Sequence, residues 1–411
     1  MKKPIDQLDS AQHPWLYSTA LQRLFKAVQK GGGEARAVGG AVRDALLGRE
    51  VKEIDLATNC PPQQVTQFLA DAGIKSVPTG LEHGTITAVI DGVGYEITTL
   101  RQDVETHGRH ATIAFTDDWQ KDAQRRDFTI NALYADATGK LYDYTHGRDD
   151  LVARRVRFIG DAHTRIQEDV LRILRFFRFT AWFAHDVDAE ALAACRDLAE
   201  LIPQLSVERV WHEIIKLLAS PDPSVCWQLM LNNDILKQIL PEASNIVRLK
   251  SLLAVEKKYE TPSHALVRFA SVLPSNSKTA AAITKRLKLS NRETEKVVTL
   301  TTLPATLRGK IDPVPLRHAL YEHKPDDVRD ALLLLTAENA TQNIDAALAI
   351  VSDWEPIHFL IQGADILKFG IPAGPKIGET LHAVEEWWIA NDFRPSRDEC
   401  LAEAKRFLGG K

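Results

Sequence analysis

The chain has 411 residues, 45% of them hydrophobic and 26% charged, with a formal net charge of −4. That length can bury sizeable cores and predicts two to four domains of an ordinary soluble globular protein, while the slightly acidic balance excludes a bulk electrostatic grip on nucleic acid and leaves only local basic patches for that purpose. No apolar run approaches the roughly 20 residues of a membrane span, and Met1-Lys2-Lys3-Pro4-Ile5-Asp6 lacks the apolar centre of a secretory signal, so the expectation is a cytoplasmic protein with no membrane partner.

Apolar residues at helical spacing from Leu16 to Val28, stopped by Gly31-Gly32-Gly33, predict a leading helix within residues 1–33. Between 34 and 150, short β-rich runs (35–38, 54–57, 86–90, 95–100 and 132–135) alternate with helices at 42–47 and 62–72, which predicts an α+β domain around a mostly mixed sheet. Beyond Leu151 the strand signals fade. Segments such as 167–183, 188–200, 206–218, 224–240 and 375–390 carry helical periodicity, so 151–220 and 221–411 are expected to be helical, with joints at Pro203, Pro221-Asp222-Pro223 and Pro274-Ser275-Asn276-Ser277. Cys60, Cys195, Cys226 and Cys400 are too far apart for a zinc knuckle or a redox pair and read as reduced structural thiols.

Four stretches carry chemistry. Val38-Gly39-Gly40-Ala41-Val42-Arg43-Asp44 offers a glycine pair for backbone approach to phosphate, with Gly40 opening a helix and Arg43 placed to pair with a triphosphate. Glu53 and Asp55, at i and i+2 of an extended run, point to one face and can share metal ions. Glu96, on the polar face of the run Tyr95 to Leu100, is either a third carboxylate of that cluster or a charge on an exposed strand face. Arg125-Arg126-Asp127 and Asn131 fit a triphosphate and ribose clamp, the spacing leaving open which arginine meets phosphate. In Glu168 to Phe179, Asp169, Arg172, Arg175 and Arg178 recur every three residues, a polar stripe whose like charges repel unless an anion lies among them. A carboxylate and a guanidinium at Asp169 and Arg172 can together read the edge of cytosine or adenine and reject uracil and guanine, which present a carbonyl oxygen to the carboxylate.

Taken in order, Gly39 to Asp44, Glu53-x-Asp55, Arg125 to Ala132 and Glu168-Asp169-x-x-Arg172-x-x-Arg175 resemble the motifs of the class II tRNA nucleotidyltransferases, the CCA-adding enzymes and bacterial poly(A) polymerases, from about residue 36 to 215. The resemblance implies a polymerase-β-like nucleotidyltransferase head (34–150), a helical neck that recognises the base (151–220) and a helical body and tail that bind tRNA (221–411). It also implies two Mg²⁺ on Glu53 and Asp55, CTP and ATP as substrates, and base selection by Asp169 with Arg172. One departure is Glu53, where many members carry Asp; altered geometry rather than lost chemistry is expected. Asp143, Gly147 and Asp150 resemble the family's hinge between head and neck, Leu205 to Glu213 its last motif, bracing the base-reading helix, and 101–110 its flexible loop. Thr79 to Thr87, the tail segment Gly363 to Gly378 and the absence of an Arg-Phe-rich run after the first motif are most like CCA-adding members. The alternatives are a partial A- or CC-adding enzyme, a poly(A) polymerase, or a protein that binds RNA without catalysis.

Overall fold

The structure is a computed structural model and describes residues 6–107, 110–262, 264–339 and 343–409. The chain divides into two compact units, 1–241 and 242–411.

The first unit holds all the strands among the described residues: β1 (Ala35–Val38), β2 (Asp55–Thr58), β3 (Lys75–Gly80), β4 (Thr85–Ile90), β5 (Val93–Thr99), β6 (Arg101–His107), β7 (His110–Phe115), β8 (Leu133–Ala135) and β9 (Leu141–Asp143). Seven form one sheet in the order β3-β4-β5-β2-β1-β8-β9. β2 and β5 run parallel and the other neighbours antiparallel, so the sheet is mixed and the fold α+β. β4 alternates half-buried and buried residues, as expected of a strand with one face on the core. β1, in the middle, is buried throughout. β6 and β7 make a separate hairpin. Backbone pairing thus reaches 101–107 and 110–115, where the sequence predicts an unpaired flexible loop; residues 108 and 109 lie outside the described residues. Alternation is weak in that polar run, which hid the strands.

Helices α1 (Thr19–Lys30), α2 (Gly40–Leu46) and α3 (Pro62–Asp71) flank the sheet, followed by α4 (Trp119–Gln124) and α5 (Gly147–Val152). The helical part of this unit continues with α6 (Ala162–Glu168), α7 (Leu171–Phe183), α8 (Ala189–Asp197), α9 (Val207–Leu218), α10 (Ser224–Asn232) and α11 (Ile235–Ile239). The apolar stripe of α7 explains its seat. Phe176 and Phe179 meet Phe128 at ring-centroid distances of 6.4 and 5.4 Å, and Phe176 meets Phe158 at 5.9 Å. Phe128 and Phe176 are fully buried, each such side chain contributing roughly 1.5–3 kcal/mol of transfer free energy. Two predicted helices are in fact pairs. The segment 167–183 breaks at Asp169, which is extended (φ −147°, ψ 103°), and 224–240 breaks where Asp234 takes a left-handed conformation at φ 59°. Apolar periodicity survives such one-residue breaks, so it did not reveal them.

In the second unit all the regular elements among the described residues are helices, from Ile246–Lys258 to Arg397–Gly409. It has a main core around Leu252, Leu300, Leu332 and Leu334 and a smaller one around Ile366, Val384 and Trp388. No helix among the described residues is long and apolar enough to cross a membrane. All four cysteines are buried and unpaired.

Candidate active site

Three strand ends assemble the site. Val38 of β1 pairs with Asp55 of β2, and Asp55 pairs in parallel with Glu96 of β5. The glycine turn after β1 and two carboxylates therefore lie in one row, with Asp55 and Glu96 on the same face. Both side chains are exposed. Glu53, also exposed, precedes the strand and reaches Asp55 through its charge. Protein packed around the strand end and the negative charges of Glu96 and Glu53 raise the pKa of Asp55, with Arg126 opposing them. Among the described residues no three acidic, histidine or cysteine side chains already converge to hold a metal ion. Adjacent like-charged oxygens in water-accessible positions nevertheless suit a hard divalent cation, whose charge would relieve the repulsion at Asp55.

Gly39 makes the turn at φ 67°, ψ −117°, a conformation that side-chain-bearing residues rarely adopt. A Cβ there would lie 3.4 Å from the Asn131 carbonyl oxygen and 3.7 Å from Arg126 Nη1, so Arg126 stands beside the turn as well as within electrostatic reach of Asp55. Gly40 is the first residue of α2. Arg43 is turned inward at 9% exposure. Its Nη1 donates to Asn131 Oδ1 at 2.6 Å, its Nε and Nη2 donate to Asp44 at 3.0 and 3.1 Å, and its guanidinium stacks 4.3 Å over Phe183. Arg43 thus ties the glycine turn to Asn131 and to α7.

Asp122, which the motif reading passed over, organises the arginine pair. It is 1% exposed and accepts from Arg125 Nη2 at 2.7 Å, from Arg126 Nη2 at 3.1 Å and from the Tyr134 hydroxyl at 2.8 Å. Burial alone would raise its pKa, but Arg126 and Arg125, with Tyr134, outweigh that and carry it down to about 2. Burial likewise opposes the charge on Arg126, and Tyr134 and Asp122 more than restore it, leaving its pKa above the ordinary value. An acid three and four residues before an arginine pair was the available sequence signal.

Asp127 faces α7. Its Oδ1 accepts from the Phe128 and Asn131 nitrogens at 2.8 and 3.1 Å, and its Oδ2 from Arg175 Nε at 2.7 Å. Its burial is overcome by Arg175 and these hydrogen bonds, which hold the carboxyl below the usual range. Asp169 and Arg172 are each held separately. Asp169 Oδ1 accepts from the Leu171 amide at 3.1 Å and Oδ2 from Arg209 at 2.8 Å. Arg172 donates to Glu168 at 2.6 Å and to the carbonyls of Arg165 and Arg125 at 2.8 and 3.0 Å. Arg175 and Arg178 both address the buried Glu213 of α9, at 3.9 and 2.5 Å. The stripe is therefore neutralised by Asp127, Glu168 and Glu213, and Asp169 stands just outside α7. Asp143 accepts from the amides of Gly147 and Arg148, and the fully buried Asp150 accepts from Thr129 and Arg157, which fastens α5 to the segments on either side of it.

Three family models match successive stretches: the poly A polymerase head domain over residues 35–157, the probable RNA- and SrmB-binding site of polymerase A over 186–246, and the putative tRNA nucleotidyltransferase domain 2 over 257–404. The Homo sapiens CCA tRNA nucleotidyltransferase 1, mitochondrial, is 34% identical over 409 residues, covering 97% of this chain and 93% of that one. The chain belongs to the CCA tRNA nucleotidyltransferase family. Its fold matches the crystal structure of the Bacillus stearothermophilus CCA-adding enzyme in complex with CTP at a TM-score of 0.77, with 23% identity over 100% of this chain and 99% of that one. It also matches the Thermotoga maritima CCA-adding enzyme complexed with tRNA at 0.66, with 20% identity over 98% and 97%. Membership of this family of transferases implies use of divalent metal ions.

Proposed function

We propose that the chain adds CCA to the 3′ end of tRNA without a template, using CTP and ATP and Mg²⁺. One observation carries the reading. Hydrogen bonds run from the glycine turn through Arg43, Asn131 and Asp127 to Arg175, and Arg172 reaches the Arg125 carbonyl. Hydrogen bonds thus tie the phosphate-binding turn to α7, which carries Arg172, and the pairing of Val38 with Asp55 sets the carboxylate row beside the same turn.

In this reading Gly40, Arg125 and Arg126 face the triphosphate. Arg43 acts by holding the turn against Asn131, and Asp127 by holding α7 in place through Arg175. Asp55, with Glu53 and Glu96, would hold the metal ions, which supply charge neutralisation on the α-phosphate and activation of the tRNA 3′ hydroxyl when bound. The hydroxyl attacks the α-phosphorus and pyrophosphate leaves. Asp169 accepts the exocyclic amine of cytosine or adenine and Arg172 donates to the ring and carbonyl acceptors. Arg175 and Arg178 keep α7 in register through Asp127 and Glu213. Residues 151–220 serve as the neck, and the helices beyond 221 receive the tRNA. The buried, unpaired cysteines suit a reducing compartment, and we place the chain in the cytoplasm, although its human relative is named mitochondrial.

The test is extension of tRNA transcripts lacking CCA or ending in CC, and of an RNA with no acceptor stem, by each of the four triphosphates with Mg²⁺. Two C additions and then one A, with nothing from UTP or GTP, are expected. Addition of A alone to the CC end would mean a partial enzyme, long A tails on any RNA a poly(A) polymerase, and no incorporation a binding protein.

A further inference from the structure

We infer that Tyr134 is a positioning residue for the triphosphate: its buried hydroxyl fixes the guanidinium of Arg126 with the Nη1 edge turned to the glycine turn. The inference rests on the reading of Arg126 as a triphosphate ligand. Tyr134 lies on β8 in register with Val38, Val38 pairs with Asp55, and Asp55 pairs with Glu96. Directly paired residues share a face of the sheet. One row across four strands thus carries the phenol at one end and the two carboxylates at the other, with the glycine turn leaving β1 between them. Strands stand about 4.8 Å apart, so the Tyr134 and Asp55 backbones are roughly 10 Å apart. Arg126 spans that gap: its Nε lies 3.3 Å from the Tyr134 oxygen and its charge reaches Asp55. The Gly39 amide donates to the Leu133 carbonyl at 3.0 Å, which locks β8 to the turn.

The hydroxyl works in both directions. Its O–H donates to Asp122 Oδ2 at 2.8 Å, and its oxygen accepts from Arg126 Nε. Arg126 Nε and Nη2 also donate to Asp122, at 3.3 and 3.1 Å, but both converge on the same oxygen, Oδ2. A guanidinium held at one oxygen can pivot about it. The phenol oxygen supplies a second point of attachment and removes that freedom. What remains is the Nη1 edge, 3.7 Å from where a Cβ on Gly39 would stand, on a side chain 21% exposed. The phenol is itself fixed, fully buried and edge-on to Trp119 at 5.4 Å and to Tyr144 at 6.0 Å. Burial raises its pKa, and Asp122 adds to that against the opposing charge of Arg126, so at neutral pH it stays a protonated donor. Asp169 and Arg172 are held by other partners. Loss of the hydroxyl therefore weakens the grip on every triphosphate alike and leaves the choice of base untouched.

The experiment is a double-mutant cycle on the full chain with Tyr134→Phe, which keeps the ring and its contacts with Trp119 and Tyr144, and Arg126→Met, which leaves Asp122 paired with Arg125. Isothermal titration gives Kd for CTP without tRNA, initial rates give KM for CTP, ATP and tRNA and the CTP:UTP ratio of kcat/KM, and thermal melts confirm folding. Tyr134→Phe is expected to weaken CTP about tenfold, to raise KM for ATP by the same factor, and to leave KM for tRNA and the CTP:UTP ratio unchanged. In the Arg126→Met background it should change Kd less than about twofold, because the residue it acts through is gone. Arg126→Lys, which keeps a cation opposite Asp122, takes the place of Arg126→Met if that chain does not fold, with the same expectation. CTP affinity lowered by Arg126→Met but not by Tyr134→Phe would overturn the inference and leave the triphosphate role of Arg126 intact. Affinity unchanged in both single variants would overturn both. An equal effect of Tyr134→Phe in the two backgrounds, or a Tyr134→Phe chain that does not fold, would assign the hydroxyl to packing and also overturn it.

Discussion

At the scale of single residues, two aspartates with opposite environments have opposite consequences. Asp55 is held among Glu53 and Glu96, and its raised pKa means that its charge is disfavoured in the folded state. The folded chain therefore binds a proton more readily than the unfolded one, and stability declines as pH rises from the ordinary aspartate value through the folded pKa. Asp55→Asn is expected to abolish nucleotide addition, with a loss of at least about 100-fold in kcat, while Tm at neutral pH holds or rises. A fall in Tm of several degrees would show that Asp55 is a structural anchor instead. Added Mg²⁺ should raise Tm of the parent more than that of the variant. Asp122 behaves in the reverse sense. Its pKa is depressed from 3.8 to about 2, so the stabilisation, about 2 kcal/mol, is complete above pH 4 and is lost as pH falls through about 2. Asp122→Ala leaves two guanidinium groups facing a void and should cost about 3–5 kcal/mol by urea denaturation; a loss below about 1 kcal/mol would remove Asp122 from the centre of the arginine clamp.

At the scale of elements, the turn between β9 and α5 depends on one close approach. Gly147 opens α5, and a Cβ on it would lie 2.1 Å from the Thr129 carbonyl oxygen. That oxygen belongs to the backbone turn carrying Asn131, so the clash cannot be relieved by rotating a side chain. Gly147→Ala is expected to cost about 1–3 kcal/mol and, by shifting Asn131 and Asp127, to raise KM for CTP; an unchanged melting curve would mean that the turn yields freely. Elements were legible where pattern and chemistry agree. β1 matched its predicted span, 35–38, and the motif residues Arg43, Asn131, Asp127 and Arg175 are joined by hydrogen bonds. Others were not. β3 (Lys75–Gly80) contains Pro78 and is largely exposed, so neither alternation nor β-propensity marks it. The helix Ile246–Lys258 mixes Arg248 and Glu256 into its buried face, and so blurs the apolar period. Asp122 is marked in the sequence only by its spacing from the arginine pair, and Arg209 only as one residue of the stretch Leu205 to Glu213; the partner each meets is fixed in space.

At the scale of the whole molecule, every residue proposed to act in catalysis or to meet the triphosphate or the base lies before position 242, within the unit 1–241. That unit has its own cores, including the Phe128, Phe158 and Phe176 cluster that seats α7 on the head, and its size is ample for independent folding. The second unit carries none of the site and has separate cores. If it serves to grip tRNA, the two tasks are separable. A chain ended after Pro241 should then unfold in one cooperative transition and bind CTP within about threefold of the full chain, since no triphosphate contact is removed. Its KM for tRNA should rise at least about tenfold, which corresponds to the loss of about 1.4 kcal/mol of RNA binding. Isothermal titration with CTP and initial-rate measurements over a range of tRNA concentrations read the two effects apart. Loss of CTP affinity in a folded 1–241 chain would place part of the nucleotide site beyond residue 241, and an unchanged KM for tRNA would move RNA recognition into residues 1–241.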